Sequence, residues 1–249
     1  MALPVTHSTT EIYYPDADGL PMAESDFQRK PLTYAVEALD IYFQAHENIY
    51  VSGNMFLYYE EGNPSASVAP DVFVVFGAPK HDRSSYMLWR EPKAPDFVLE
   101  ITSQSTHTQD QGTKRERYAV LGVQEYFQYD PTHEYLDPPL QGLHLVGNTY
   151  QPIPATTSLE GTLVLRSAVL GLELRLEDGV LRFYDPTTGQ KLLSHRESEQ
   201  ARQEAEQGRQ AAEERARAAE ARVAELEARL QALQATRSPI QPPSADSQS

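Results

Sequence analysis

The spacing of apolar positions separates a part built of helices and strands from a long polar helix. Between Pro31 and Glu47 apolar residues recur every three or four positions, which predicts an amphipathic helix. Residues 110–121 predict a second helix, which ends at Gly122. Runs rich in β-branched and aromatic residues predict strands: one or two within 48–60, then 71–76, 96–101, 124–129, 142–153, 162–165 and 180–184. This order indicates an α/β (α+β) fold in which helices flank a sheet.

The C-terminal segment has a different pattern. Residues 197–234 consist almost entirely of Ala, Glu, Arg, Gln and Leu, without proline. Val223, Leu226, Leu230 and Leu233 are spaced by three, four and three residues, which is typical of a coiled-coil seam, whereas the earlier heptads carry Ala or Arg there. A solvated single helix is the alternative; we expect a coiled coil that associates with itself or binds a partner, and a homo-oligomer, a dimer, that it could hold together. The predicted organisation is a folded domain over 1–194, a coiled-coil helix over 195–236 and a disordered tail over 237–249.

Composition restricts the classes of function. No stretch approaches the roughly 18 consecutive apolar residues of a membrane-spanning helix, so no membrane partner is expected. The chain has no cysteine, which excludes disulfides and thiolate metal sites, and we expect a cytoplasmic protein. The net charge is −15, and residues 1–194 hold 13 basic against 26 acidic residues. This excess is unfavourable for binding nucleic acid, because Lys and Arg normally provide most of the affinity for phosphates.

Two acids stand at the ends of neighbouring predicted strands. Asp71 opens one strand and Glu100 nearly closes the next, so antiparallel pairing would bring the two carboxylates together. Alternation places Glu100 on one face with Val98 and Thr102. An acid inside such an apolar strand is costly to bury without a partner. Converging carboxylates are suitable ligands for Mg²⁺ or Mn²⁺, which can polarise a phosphodiester and lower the pKa of an attacking water.

The helix after Glu100 adds a third set of polar residues. Asp110, Lys114 and Tyr118 follow one another at intervals of four and share one helix face. A lysine there can orient the attacking water or neutralise charge that develops on the phosphate. The alternative is an ordinary polar helix face with one ion pair. Phosphate-binding glycine loops and histidine pairs with zinc spacing are absent from the sequence.

Several motifs together resemble the Uma family of proposed restriction endonucleases, within the PD-(D/E)XK nuclease superfamily. They are PDVFVV at 70–75, PDFVLEITS at 95–103, Lys114 with Tyr118, and GVQEYFQYDP at 122–131. The resemblance covers roughly residues 10–190 and implies a restriction-endonuclease-like fold, a mixed central sheet flanked by helices.

The resemblance also implies roles for individual residues. Asp71 and Glu100 fill the two metal-binding acidic positions, and both count as catalytic together with Lys114. Lys114 comes from the following helix, because Thr102 occupies the position where the superfamily usually has its lysine. Asp110, Tyr118 and Glu37 are supporting candidates.

Three functions follow from these residues. The first is a metal-dependent endonuclease that hydrolyses phosphodiester bonds in DNA with Mg²⁺ or Mn²⁺. The second is a catalytically silent scaffold that works through its coiled coil, which the acidic charge favours. The third is a hydrolase of small phosphate esters, which accounts for both the acidity and the site. The intact acids and lysine favour the first. Without metal, the two acids are expected to repel each other, so that one carboxyl pKa is raised.

Overall fold

The computed structural model describes residues 12–16, 25–158 and 161–235. The chain divides into two compact units, with the boundary between His195 and Arg196. The predicted disordered tail at 237–249 lies outside the described residues.

The first unit contains three helical segments and thirteen strands among its described residues. The helical segments are α1 (Asp26–Tyr42), α2 (His107–Gln109), which continues through a π-helical turn (Asp110–Lys114), and α3 (Arg115–Leu121). The strands are β1 (Ile49–Ser52), β2 (Leu57–Tyr58), β3 (Ser67–Val68), β4 (Val72–Phe76), β5 (Tyr86–Met87), β6 (Phe97–Ile101), β7 (Glu125–Tyr129), β8 (Leu140–Val146), β9 (Thr149–Pro152), β10 (Thr156–Thr157), β11 (Leu163–Arg166), β12 (Glu173–Glu177) and β13 (Val180–Tyr184).

The central sheet has six strands in the order β1-β4-β6-β7-β8-β9. Strands β6 and β7 are parallel, and the other neighbouring pairs are antiparallel. The parallel pair requires a crossover, which the α2–π–α3 segment supplies. Two smaller sheets, β10-β11-β12-β13 and β3-β2-β5, complete the unit. The predicted mixed central sheet flanked by helices is confirmed.

The two faces of the central sheet support two separate hydrophobic cores. Phe97, Leu99 and Ile101 of β6 pack with α1 and with the sheet β10–β13. Val98 faces the other way and packs with Tyr118 of α3 and the aromatic side chains near it. Glu100 alternates with these residues and therefore belongs to the Val98 face, as predicted. The candidate acid is thus set into the core that the crossover helices cover.

The structure corrects several boundaries. Helix α1 begins at Asp26, so the predicted start at Pro31 is wrong. Ser25 is the N-cap and Asp26 lies in the first turn, and Pro31 is accommodated inside the helix. The predicted single strand over 142–153 is a hairpin, β8–β9, because the chain turns at Gly147 with a positive φ of 62°. Strand β12 was not predicted. Its Glu and Arg residues alternate with Leu on a half-buried sheet, so the segment has no continuous apolar run that would mark a strand.

Helix α4 (His195–Ala235) supplies the described part of the second unit from Arg196 onward. Its side chains are almost all exposed, including the four apolar residues of the predicted seam. Among the helices of the described residues, none is long and apolar enough to cross a membrane.

Candidate active site

Antiparallel pairing brings Asp71 and Glu100 together. Val72 pairs with Leu99, so that Asp71, one residue before β4, lies beside Glu100 of β6. The Ile101 N–H donates a hydrogen bond of 2.6 Å to Asp71 Oδ2, which ties the carboxylate to the end of β6. The predicted approach of the two acids at one edge of the pair is therefore present in the structure.

The backbone of Asp71 is in close contact with a glycine, Gly53. A Cβ added at Gly53 would overlap the Asp71 carbonyl oxygen and approach Val36 Cγ2 to 2.9 Å. The neighbouring Asn54 N–H donates to the carbonyl oxygens of Pro70 at 2.9 Å and Asp71 at 3.2 Å. The chain after β1 thus passes so close to Asp71 that only glycine fits at position 53.

Glu100 is fully buried and receives two hydrogen bonds from the crossover helix. Lys114 Nζ donates to Oε2 at 2.8 Å, and the Tyr118 hydroxyl donates to Oε1 at 2.6 Å. The face predicted to carry Lys114 and Tyr118 is the face that meets Glu100. The tyrosine holds one carboxylate oxygen in place while the lysine compensates charge at the other.

The π-helical turn shapes the segment between the acid and the lysine. Lys114 Nζ lies 3.0 Å from Asp110 Oδ1, so the ammonium is shared between Glu100 and Asp110. The wider turn leaves the Asp110 carbonyl to accept a hydrogen bond of 2.8 Å from the Tyr126 hydroxyl. Single π-turns occur frequently at functional sites. Here the turn brings Asp110, itself fully buried, into the group around Lys114.

Burial controls the protonation of the acids. Desolvation, together with the charge of Asp71, raises the pKa of Glu100 to about 7, against the lowering effect of Lys114 and Tyr118. Desolvation likewise raises the pKa of Asp71 and of Asp110. The predicted rise of one carboxyl pKa without metal agrees with this direction.

Burial and the neighbouring charges act on the pKa of Lys114 in opposite directions. Desolvation alone lowers the pKa of its ammonium, but the charges of Glu100 and Asp110 outweigh desolvation and the net shift is upward. The side chain therefore stays protonated at neutral pH. It can donate hydrogen bonds and balance negative charge, but it does not serve as a proton acceptor.

Four buried polar atoms of the first unit lack an aligned hydrogen-bond partner among the described residues. They are Thr102 Oγ1, both carboxyl oxygens of Asp110, and Gln128 Nε2. Gln128 lies beside Glu100 in the parallel β6–β7 register and is 3% exposed. Sequence reasoning did not select Gln128, although the criterion that selected Glu100, a polar residue inside a buried strand, applies equally to it.

The carboxylates suit a hard divalent cation. Among the described residues, no three His, Asp or Glu side chains are arranged to hold an ion by themselves. Mg²⁺ does not require such a cage, because it is usually bound by one or two carboxylates with water and substrate phosphates completing the shell. Asp71 and Glu100 match that pattern, and the Asp110 carboxylate, which forms an ion pair with Lys114, lies close by.

Glu37 makes a different contact. Its Oε2 accepts a hydrogen bond of 3.3 Å from the His195 N–H at the start of α4. This contact sets Glu37 apart from the other supporting candidates, Asp110 and Tyr118, which are bonded directly to the Glu100–Lys114 group.

A cleft of about 450 Å³ opens beyond the carboxyl ends of the parallel strands β6 and β7. Such ends are a frequent place for ligands in α/β sheets. Hydroxyl, amide and aromatic side chains dominate its lining, which consists of Ser25, Phe27, Gln28, Thr102, Ser103, Gln104, Ser105, Pro131, Thr132 and Tyr135. The cleft offers neutral hydrogen-bond donors, and it begins two residues after Glu100.

These features define an α/β protein in which carboxylates and one lysine converge at the end of a strand pair. Residues 6–177 match the Uma2 family, which is described as "Putative restriction endonuclease". The chain belongs to this family. No curated protein matches the chain. Among solved structures, the chain is similar to a nuclease of Anabaena variabilis ATCC 29413, described as putative and as belonging to DUF820. The identity is 12%, the coverage is 56% of this chain and 75% of that chain, and the TM-score is 0.37.

Proposed function

We propose that this chain is a metal-dependent endonuclease that hydrolyses phosphodiester bonds in DNA. Membership of a family described as restriction endonucleases supports a nuclease. Asp71 and Glu100 are proposed to hold Mg²⁺ or Mn²⁺, and Lys114 is proposed to act on the scissile phosphate or the attacking water.

The observation that carries this proposal is a shortage of positive charge around Lys114. The one ammonium lies against Glu100 and Asp110, and Asp71 adjoins Glu100. With all three carboxyls ionised, the group has a formal charge of −2. Burial, together with repulsion among the carboxylates, raises the pKa values of all three, so protons can neutralise part of this charge. At neutral pH a divalent cation is the natural complement.

Each side chain of the site has a separate proposed role. Tyr118 fixes one oxygen of Glu100, and the Ile101 N–H fixes one oxygen of Asp71, so both carboxylates are oriented before an ion arrives. Asp110 keeps Lys114 protonated and near Glu100. The positive side chain can then stabilise negative charge on the phosphate in the transition state. A bound divalent cation would supply Lewis-acid polarisation and a water of lowered pKa.

The acidic surface favours a second candidate, hydrolysis of small phosphate esters. Residues 1–194 carry twice as many acidic as basic residues, so long-range attraction to a polyanion is weak. The same carboxylates and lysine would serve either substrate. A silent scaffold remains the third candidate, and it requires neither metal nor cleavage.

The test is plasmid nicking at low salt with Mg²⁺ or Mn²⁺, together with calorimetric titration of Mn²⁺. Wild type is compared with Glu100→Gln, and Glu125→Gln serves as the matched control. Glu125 is also a buried glutamate on the central sheet, but it binds Ser167 and the Ala168 N–H. We expect Glu100→Gln to lose nicking by at least about a thousandfold and to bind Mn²⁺ more weakly, since a metal centre contributes several kcal/mol.

The remaining outcomes separate the candidates. Metal binding without nicking would favour small phosphate esters as substrates. Hydrolysis of a chromogenic phosphodiester would then be measured. If the protein neither binds Mn²⁺ nor cleaves the plasmid, the scaffold is the remaining candidate.

We also propose that the chain self-associates through α4. Its apolar seam residues are exposed in the single chain, and burying them against a second helix removes that surface from water. Light scattering of the full chain measures the expected dimer mass, and a monomeric mass would contradict this proposal.

A further inference from the structure

The exposed apolar stripe of α4 is flanked by two rows of charge. Val223, Leu226, Leu230 and Leu233 are each at least half exposed. With Val223 and Leu230 at position a and Leu226 and Leu233 at position d, one heptad register extends along the whole helix. That register assigns every other residue of α4 a position relative to the stripe.

Arginine lines one edge of the stripe and glutamate lines the other. The g positions of the last three heptads hold Arg215, Arg222 and Arg229, and the e positions hold Glu206, Glu213, Glu220 and Glu227. All of these side chains are exposed. The helix therefore has one positive and one negative edge, separated by its apolar seam.

The two edges discriminate between the possible orientations of a second helix. In a parallel pair, each g residue meets the e residue five positions later in the other chain. This pairs Arg215 with Glu220 and Arg222 with Glu227, twice each. In an antiparallel pair, g meets g and e meets e, so arginine faces arginine and glutamate faces glutamate. Like charges placed opposite each other are destabilising.

We propose that α4 pairs with a second copy of this chain as a parallel, in-register coiled coil. The proposal rests on the self-association through α4 put forward above, and it is independent of nuclease activity. It adds the orientation and the alignment of the two helices.

The ion pairs inside the single helix leave three of the four decisive charges available. Arg202 and Arg209 occupy a positions early in the helix; Arg202 binds Glu199, and Arg209 binds Glu206 and Glu213, at 2.7–3.1 Å. In the described part of α4, Arg215, Glu220 and Glu227 take part in no ion pair, and Arg222 pairs with Glu225 at 2.6 Å. The arginines at the early a positions are thus neutralised within the chain, and Arg222 would have to turn from Glu225 towards Glu227 of the second copy.

The seam itself favours the aligned register. The large apolar residues fall in the last two heptads, whereas the preceding a and d positions hold alanine at 205, 212, 216 and 219 and arginine at 202 and 209. A shift by one heptad would leave Leu230 and Leu233 of one chain without an apolar counterpart in the described helix. Because residues 1–194 precede α4 in each copy, both preceding segments enter a parallel pair at the same end of the coil.

The first experiment reverses charges in the full chain. Glu220→Arg with Glu227→Arg places arginine on both edges, and we expect association to weaken by about tenfold or more, since four attractions become repulsions. Adding Arg215→Glu and Arg222→Glu restores opposite edges with the wild-type composition, and dimerisation is expected to return. In an antiparallel dimer the first variant would be no weaker than wild type, which would overturn the proposed orientation.

The second experiment uses the absence of cysteine. Ala219→Cys places a single thiol at position d, and Ala221→Cys places one at position f on the outer face as a matched control. Under a glutathione redox buffer, the first variant is expected to form a disulfide-linked dimer and the second to remain unlinked. In an antiparallel pair aligned on residues 223–233, the two copies of residue 219 would lie about 27 Å apart along the coil, and no link would form. A dimeric mass without the link overturns the parallel orientation alone, whereas a monomeric mass overturns the underlying self-association.

Discussion

The two units of this chain are incomplete in opposite ways. The first unit buries carboxylates with too little positive charge, since Glu100 and Asp110 are both fully buried around one lysine. The second unit exposes leucines along α4. Buried charge and exposed apolar surface are both unfavourable in an isolated chain. We propose a divalent cation as the complement of the first and a second helix as the complement of the other.

The largest expected effect comes from removing the ammonium of Lys114, which pairs with both Glu100 and Asp110. Lys114→Met leaves Glu100 and Asp110 without their shared partner, and breaking a buried pair in this way costs about 4 kcal/mol of unfolding free energy at pH 8. Urea denaturation measures the loss. Lys30→Met is the control, because Lys30 forms an exposed pair with Asp26 at 3.8 Å, and its effect is expected to stay below about 0.5 kcal/mol. Equal effects of the two variants would contradict the buried-charge interpretation.

The next effect is a pH dependence of stability. The folded-state pKa of Glu100 is about 7, above its ordinary value of 4.5, so the folded protein binds this proton more tightly than the unfolded chain. Its contribution to stability is full below about pH 4.5 and disappears as pH rises to 7, which amounts to about 3 kcal/mol.

Glu100→Gln is expected to remove that part of the pH profile. In wild type, added Mn²⁺ at pH 8 is expected to restore stability in place of the proton. Parallel profiles for wild type and variant, measured without metal, would show that Glu100 does not titrate in this range.

A smaller effect is expected at Asp110, and its sign is informative. Asp110→Asn removes one of the three negative charges, and the amide can find donors and acceptors where the carboxylate has none aligned. We expect the free energy of unfolding without metal to increase by about 1 kcal/mol at pH 8, while nicking decreases. A decrease in stability would mean that the Asp110–Lys114 ion pair outweighs the crowding of charge.

The smallest effect on the first unit is expected from the helix. Leu226→Ser alters a side chain that is half exposed, so the thermal transition of the first unit is expected to shift by less than about 1 °C. The same variant is expected to lower the dimer fraction in light scattering. A large shift of that transition would show that the two units are coupled in stability.

Much of the site followed from two periodicities. Alternation along β6 placed Glu100 on its own face, and the helical period placed Asp110, Lys114 and Tyr118 together. The sequence could not reveal the Ile101 N–H that binds Asp71, because backbone donors carry no residue signature. It could not reveal the π-turn either, since residues 110–114 contain no large apolar side chain whose spacing would mark the wider turn.

Some elements of the fold were predicted from the sequence more accurately than others. Strands β4 and β6 were recognisable because they are buried on both faces and apolar apart from Glu100. The hairpin β8–β9 was read as one strand, since Gly147 interrupts residues that are otherwise strand-forming. Helix α1 was placed too late, because a proline typical of a first turn stands inside the helix.

Gly53 has a consequence for comparing this chain with its relatives. Any side chain there would press on the Asp71 carbonyl and displace the first acid, although position 53 takes no part in binding or chemistry. A homologous gene with alanine or serine at this position would still display every acidic motif in an alignment. We expect the first acid of such a product to be displaced even though its motifs are intact. Position 53 therefore has to be read together with the acidic motifs when relatives are compared.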